Sequence, residues 1–538
     1  MRRCHLPPAV TSPIVGKMPA LATPRPTRRQ LLATAASFAI GSCAKSRRPN
    51  ILFAIADDMS YPHAGAYGDR VVRTPAFDRV AREGVLFHNA FCCSPSCTPS
   101  RSAVLAGRPI WQTGEGGVLY GTLPRGLPLY TDLLANAGYH VGFTGKGWSP
   151  GNWRAGGRTT HPNGTEFNTR LHSEPVPAGI DKRDYAANFQ DFLAQRPDGA
   201  PFAFWFGCTE PHRVYEEGVG LKSGKRLQDV KVPPFLPDTE EIRSDLLDYY
   251  FEVEWFDQKL QKMLAVLERS GEMDRTIVVV TSDNGMPFPR AKVNLYDWGV
   301  HMPLAIRWPD RIAKPGRAIS EFVSHTSFAP TFLEAAGIAP PAAMEGRSLL
   351  PLLYTTAPDK SRDFAVTALE RHTMCRPDGA TYPCRAIRTA GYLYIRNFAP
   401  DRWPTGGEFL SSNKTTHGDV DACPTKTYML SDQARADHPE LYDLAFGRRP
   451  HEELYDVNTD PGQIRNLASD AASRTARNAL SARLDAYLKR TGDPRIAGRD
   501  PWQQYVYHQT TGYGASFNLS LPEEQRRAAR ERDTHKPE

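Results

Sequence analysis

From Pro49 onward, short uninterrupted apolar runs alternate with stretches of helical periodicity. The first run, Asn50-Ile51-Leu52-Phe53-Ala54-Ile55-Ala56, has no polar alternation, which is the pattern of a strand buried on both faces, and it empties into Asp57-Asp58. Thr74 then reads as an N-cap with Pro75 at the first helical position. Phe77, Val80 and Ala81 supply the apolar stripe and Gly84 the stop. Further strands are expected at Val85–Phe91, 141–144, 202–206, 277–281 and 304–308, with helices at Tyr185–Ala194, 240–267 and 327–336. This alternation predicts an α/β fold, a large mixed or mainly parallel sheet sandwiched by helices, with functional groups at the carboxyl ends of the strands. After Leu353 the character changes. Segments 392–396 and 454–457 are short and broken by Pro, Gly and Asp, and a helical stretch follows at 471–488. Residues 49–353 are therefore expected to form one large domain and 354–522 a smaller C-terminal α+β subdomain. Residues 523–538 read as a charged tail without fixed structure. No internal repeat is visible.

The 538 residues, 40% hydrophobic and 23% charged, exclude a disordered or collagenous chain and a small disulfide framework. The net charge of +7 suggests nucleic acid only until it is located. Residues 1–48 hold nine basic side chains and no acid; without those nine, 57 of the 66 Lys and Arg face 59 Asp and Glu. The excess belongs to a leader, and nucleic-acid binding is dropped. In that leader, Arg28-Arg29 precede an apolar run ending at Ile40, too short to span a bilayer. This is the pattern of an export signal of the twin-arginine kind. Ile40-Gly41-Ser42-Cys43 resembles a bacterial lipobox, with Cys43 as the lipid anchor; an ordinary small-residue cleavage site is the alternative, and Met18 is a second candidate start. The expected localisation is the periplasm or the membrane surface of a bacterium, as a lipoprotein. Beyond Cys4 and Cys43 seven cysteines remain, none with zinc-site spacing. Cys208, Cys375, Cys384 and Cys423 are open to disulfide formation, with no connectivity deducible.

Three stretches carry chemistry. Cys97-Thr98-Pro99-Ser100-Arg101 leads into the expected helix Ser102-Ala103-Val104-Leu105-Ala106-Gly107. Asp57-Asp58 and Asp283-Asn284 each follow an apolar strand. Alone, either pair would more often be a turn or a cap. Together they are hard oxygen ligands of the kind that Ca²⁺ or Mg²⁺ selects.

The Cys97 stretch resembles the formylglycine signature of type I sulfatases, and the match extends from about Pro49 to Leu353, ending at Gly346-Arg347-Ser348-Leu349-Leu350. Pro211-His212-Arg213, the run from Thr281 to Pro289 and Asn294-Leu295-Tyr296 look most like the N-sulfoglucosamine sulfohydrolase (sulfamidase, heparan N-sulfatase) branch. The resemblance implies the alkaline phosphatase-like sulfatase fold and a Cys97 oxidised to formylglycine (3-oxoalanine) by a formylglycine-generating or radical sulfatase-maturing enzyme. It implies one Ca²⁺, with Mg²⁺ still open, held by Asp57, Asp58, Asp283, Asn284 and the modified Cys97. Arg101, Lys146 and Lys292 would offset negative charge, and His212 would protonate the leaving group. Lys292 aligns by spacing, with Arg290 as its rival.

The chain departs from the pattern where sulfatases usually place a histidine two residues after the lysine: Lys146-Gly147-Trp148 has tryptophan there. Trp148, with Trp153, is a candidate sugar-stacking wall. His301, where many relatives have arginine, is a second departure. Glu370, Arg371, His372, Arg385 and Arg388 are candidate substrate-binding groups for an anionic sugar. The expected function is removal of sulfate from a sulfated carbohydrate. A sulfamidase, a formylglycine-dependent phosphonate or phosphodiester hydrolase, and a non-catalytic surface glycan-binding lipoprotein are the alternatives; the oligomeric state is open.

Overall fold

Strand β1 (Asn50–Ala56) is buried along its whole length, and its two faces feed two separate cores. Leu52, Ala54 and Ala56 pack on one side, Ile51, Phe53 and Ile55 on the other. A run with no polar position is stable only where helices cover both faces of a sheet, and they do. Helices Pro75–Glu83, Tyr185–Ala194 and Glu240–Arg269 close the first core; Cys97–Ala106, Tyr130–Asn136 and Phe328–Ala335 close the second. The chain is seen here in a computed structural model that describes residues 48–511 and 513–532. The twin-arginine run and Cys43 lie outside the described residues.

The main sheet also contains β2 (Val85–Phe91), β3 (His140–Gly145), β4 (Thr165–Glu166), β5 (Phe202–Gly207), β6 (Thr276–Ser282), β7 (His301–Arg307), β8 (Arg317–Ile319) and β9 (Val323–Ser324). Its order is β4-β3-β5-β1-β6-β7-β2-β8, with β9 also on β2. Strands β4, β3, β5, β1 and β6 are parallel; β7 runs antiparallel to both β6 and β2, so the sheet is mixed. A smaller antiparallel sheet follows: β10 (Phe364–Leu369), β11 (Cys384–Thr389), β12 (Tyr392–Asn397) and β13 (Glu452–Asp456). Helix Arg474–Arg490 lays Leu480, Leu484 and Leu488, spaced for one helical face, on Ile387, Tyr394 and Leu454 of this sheet.

Two expectations are corrected. Thr74 does not cap its helix: its hydroxyl accepts from the Gly65 amide, while the amides of Ala76 and Phe77 donate to the two carboxylate oxygens of Asp257 at 2.9 and 2.7 Å. The charged tail carries a helix, Glu523–Arg532. The cysteines open to pairing are all free; Cys208 donates to Glu210 and Cys423 accepts from the Lys426 amide. Among the described residues no helix is long and apolar enough to cross a membrane.

Because Asp257 satisfies two orphan amides of a helix that packs on β7 and on the long helix, Asp257→Ala should lower stability by about 1 to 2 kcal/mol. A urea midpoint that does not move would show those amides to be satisfied elsewhere.

Candidate active site

The site is built where parallel strands end side by side. Ala56 of β1 stands opposite Ser282 of β6, so Asp57-Asp58 and Asp283-Asn284 leave the sheet as neighbours. The crossing is stitched by hydrogen bonds. Asp283 N donates to Ala56 O at 3.1 Å, Asp58 N to Asp283 Oδ1 at 3.1 Å, and Met59 N to Ser282 Oγ at 2.8 Å. Asp58 adopts a left-handed backbone (φ 73°), which asparagine and aspartate accept more readily than most residues. Gly285 comes next because the chain passes against the Trp298 carbonyl, 1.9 Å from where a Cβ would stand.

Cys97 opens the helix Cys97–Ala106, every residue of which is buried. Its thiol donates to Asp57 Oδ1 at 3.4 Å. One turn on, Ser100 Oγ donates to Asp283 O at 2.5 Å and Arg101 Nε to Asp283 Oδ2 at 2.8 Å. The other arm of Arg101 grips the carbonyls of Lys146 and Gly147. Lys146, at the end of β3, pairs with Asp57 Oδ2. Lys292 donates to Asp58 Oδ2 at 2.7 Å and to Asp421 Oδ2 at 2.9 Å. His212, partly exposed, has Nδ1 2.6 Å from the Arg213 carbonyl, which can only accept. That makes Nδ1 the protonated nitrogen and leaves Nε2 facing Asp58 Oδ2 at 3.9 Å.

Burial pushes Asp58 up to about 7, with Lys292 opposing and Asp57 adding to the rise. Burial, then repulsion from Asp57, lifts Asp283 to about 6. Asp57 goes the other way: burial raises it, but Lys146, His212, Arg101 and Lys292 together hold it well below the carboxylate range. Burial and Asp57 push the Cys97 thiol far above its ordinary value, so the unmodified side chain is a neutral thiol at neutral pH. Burial lowers His212, and Lys292 lowers it further.

The donors suit a hard divalent cation. Carboxylate oxygens of Asp57, Asp58 and Asp283 lie within 4.8 Å of one another, as do donor atoms of Asp57, Cys97 and His212. Asn284 Nδ2 donates to Asp58 Oδ1 at 2.6 Å, and its Oδ1 is left buried with no hydrogen-bond partner. An orphaned amide oxygen beside three carboxylates is a ligand set for Ca²⁺ or Mg²⁺.

Of the remaining candidates, His372 joins the site: its Nδ1 is 2.8 Å from Ser96 Oγ, the residue before Cys97, and it lies in the field of Lys292, Asp421 and His212. The others are engaged elsewhere. Trp148 is 1% exposed, its indole donating to Ser102 Oγ in the second core, so it offers no face to a sugar. Glu370 and Arg385 form a buried ion network with Arg495 and Asp493. Arg371 donates to the Tyr505 carbonyl, and Arg388 is paired with Asp297 beside a separate cavity of about 380 Å³. Arg290 turns away to the carbonyls of Leu444 and Gln463, whereas Lys292 faces Asp58. His301 stacks between Tyr61 and Phe91. Asp421 is the residue that sequence reasoning misses; it lies 129 positions from Lys292, in a segment with no periodicity.

The family described as Sulfatase matches residues 49–338, more than half of the chain. The chain belongs to the sulfatase family. Residues 291–404 of this sulfatase also match the family described as N-sulphoglucosamine sulphohydrolase, C-terminal. It is 28% identical over 457 residues to an ulvan-active sulfatase of Formosa agariphila, covering 84% of this chain and 82% of that protein. It is 29% identical over 506 residues to the human N-sulphoglucosamine sulphohydrolase, covering 86% and 94%. A protein solved in complex with its substrate D-glucosamine-2-N,6-O-disulfate shares the fold, with a TM-score of 0.59 at 20% identity over 85% of this chain and all of that one. The activity of this sulfatase is hydrolysis of sulfate esters or N-sulfates.

The charges of the site predict two outcomes. Lys292→Ala should cut sulfate release by about 10²-fold or more, as loss of one preorganised charge donor does, whereas Arg290→Ala should lower the melting temperature and leave kcat near wild type. Equal kcat losses in the two variants would undo that assignment. The second concerns pH. In the cation-free protein Asp58 and Asp283 titrate above unfolded carboxyls, so folding takes up protons between about pH 4 and 7 and their contribution to stability falls as pH rises. Asp57 stays ionised throughout. A bound cation needs all three deprotonated, so the melting-temperature gap between Ca²⁺-loaded and chelator-stripped protein should widen from about pH 5 to pH 8. A gap that narrows would remove these carboxyls from the cation site.

Proposed function

We propose that this sulfatase removes sulfate from a sulfated carbohydrate, using Cys97 converted to formylglycine and a divalent cation, Ca²⁺ or Mg²⁺, held by Asp57, Asp58, Asp283, Asn284 and the modified residue 97. The observation that carries the reading is the contact of Cys97 with Asp57 beside the orphaned Asn284 oxygen. A buried, neutral thiol is a poor nucleophile, and its sulfated form would need a second difficult displacement. Formylglycine supplies instead a hydrated aldehyde, one hydroxyl to displace the substrate's alcohol or amine from sulfur and a second whose deprotonation lets sulfate leave. The cation supplies Lewis acidity toward sulfate oxygens.

The chain's own groups do the rest. Asp57 accepts a hydrogen bond from position 97 and is kept ionised by Lys146. Arg101, Lys146 and Lys292 are fixed by buried partners before substrate arrives, so they offset charge without reorganising. His212 holds its Nδ1 proton on the Arg213 carbonyl, and an anionic sulfate opposing Lys292 favours a proton on Nε2, the one needed by the departing oxygen or nitrogen.

The likeness to ulvan-active sulfatases supports an O-sulfated polysaccharide. The match of residues 291–404 to the C-terminal part of N-sulphoglucosamine sulphohydrolases favours a second reading, cleavage of an N-sulfate. The twin-arginine run in the sequence supports export to a periplasm or, through Cys43, to a membrane surface, and folded export would let a maturing enzyme act on Cys97 first.

The test is free sulfate released from O-sulfated polysaccharide fragments and from N-sulfated glucosamine saccharides, with Cys97→Ala as control and the mass of the Cys97 peptide checked on the same preparation. Release from the O-sulfated set, abolished by Cys97→Ala, is expected. Release from the N-sulfated set alone would establish the second reading. Silence on both with Cys97 converted would overturn the proposal, and turnover of a phosphodiester instead would name its replacement.

A further inference from the structure

Trp148 stands where a histidine is usual in this family, and its packing shows what it does there. A Cβ on Gly151 would meet the Trp148 ring at 2.6 Å and the Gly121 carbonyl at 2.9 Å, so two loops close over the indole with no room to spare. They are stitched by Asn152 N to Gly121 O at 3.0 Å and Tyr120 N to Pro150 O at 3.2 Å. The same Pro150 carbonyl accepts the hydroxyl of Thr98, the residue after Cys97. Tyr120 is thereby tied beside the first turn of the Cys97 helix.

Its conformation is costly. The backbone is left-handed (φ 54°), uncommon for any residue with a bulky side chain, and the surroundings hold it there. His508 N donates to Tyr120 O at 2.8 Å, and the ring lies 4.9 Å from that of the buried Tyr507. The C-terminal segment thus reaches back to fix a half-buried tyrosine beside the loop that holds Thr98. Burial pushes its phenol up, and the charges of Lys146 and Cys97 act on it next, in keeping with a backbone tied through Pro150 to the residue after Cys97.

We propose that Tyr120 is a specificity-determining residue, the aromatic surface against which the sugar ring lies when its sulfate is drawn to position 97; this rests on the saccharide reading above. A rigid aromatic with few torsions, braced by a second ring and in the field of Lys146, suits a ligand with an apolar ring face and an anionic end. It also replaces the platform that Trp148 cannot provide.

The test uses Ca²⁺-loaded Cys97→Ala protein, which leaves substrate unreacted, and measures affinity for a sulfated oligosaccharide and for inorganic sulfate by calorimetry. Two variants remove the ring: Tyr120→Asn suits the left-handed backbone, and Tyr120→Leu keeps an apolar contact with Tyr507. Each should weaken the oligosaccharide about tenfold or more and leave sulfate within about twofold, while Tyr120→Phe binds both nearly as the parent does. Equal weakening of both ligands, no weakening, no saccharide binding by the parent, or a Phe variant as impaired as the Asn variant would overturn the proposal. Sulfate release by the Cys97-intact enzyme is measured in parallel. Its absence alongside Tyr120-dependent saccharide binding would sink the hydrolase reading and leave the platform standing.

Discussion

The in-register parallel pairing of β1 with β6 is the constraint on which the site depends. Because Ala56 faces Ser282, two short acidic segments, over 200 residues apart in the chain, leave the sheet together. A slip of one residue would turn every side chain of β1 to the opposite face and exchange its two cores. Around that pair, β3 and β5 complete four contiguous parallel strands ending at one edge, and they deliver Lys146 and the segment leading to His212. The antiparallel β7 contributes differently: it starts at this edge, and the turn before it presses the Trp298 carbonyl against Gly285.

Bringing these groups together buries four carboxylates, Asp57, Asp58, Asp283 and Asp421, against three cations, Arg101, Lys146 and Lys292. Buried charge is tolerated only when paired and hydrogen-bonded, and here nearly every partner is shared. With every carboxyl ionised the cluster carries one negative charge in excess, with one amide oxygen unpartnered. A divalent cation would reverse that excess to a single positive charge, which complements a monoanionic sulfate ester. The rise of Asp58 and the fall of Asp57 express the same imbalance: neighbours that cannot both be fully compensated divide the available cations unequally.

Legibility followed the range of the interactions. The central strands could be read because burial on both faces leaves an uninterrupted apolar run, and Cys97 with Arg101 because one helical turn relates them. The acidic pairs could be read because strand ends are where such folds place function. The C-terminal subdomain could be read in outline, its strands near 392–396 and 454–457 and its helix near 471–488, but not the partners of its charged side chains. Glu370, Arg371 and His372 are consecutive, yet one joins an ion network with Arg385 and Arg495, one holds the Tyr505 carbonyl and one meets Ser96. No spacing rule separates those fates, since each is decided by a partner far away in sequence. The same holds for Asp257, which caps a helix 180 residues earlier, and for Asp421.

Trp148 lies two residues from Lys146, yet the scaffold makes the lysine independent of its side chain. Lys146 is held through its own backbone and owes nothing to the side chain at 148: its amide donates to Gly207 O at 2.7 Å, and its carbonyl accepts from Arg101 and from the Trp205 indole at 2.7 and 3.0 Å. Gly147 O takes a further bond from Arg101 at 3.0 Å. With the main chain pinned on both sides, residue 148 is free to serve another purpose without moving the lysine. A histidine there would be a polar group needing a partner; an indole whose single donor reaches Ser102 has none left to satisfy and fills the second core. Trp148 supports the loop that carries Tyr120, and the charge constellation does not depend on its side chain because none of its bonds run through that indole.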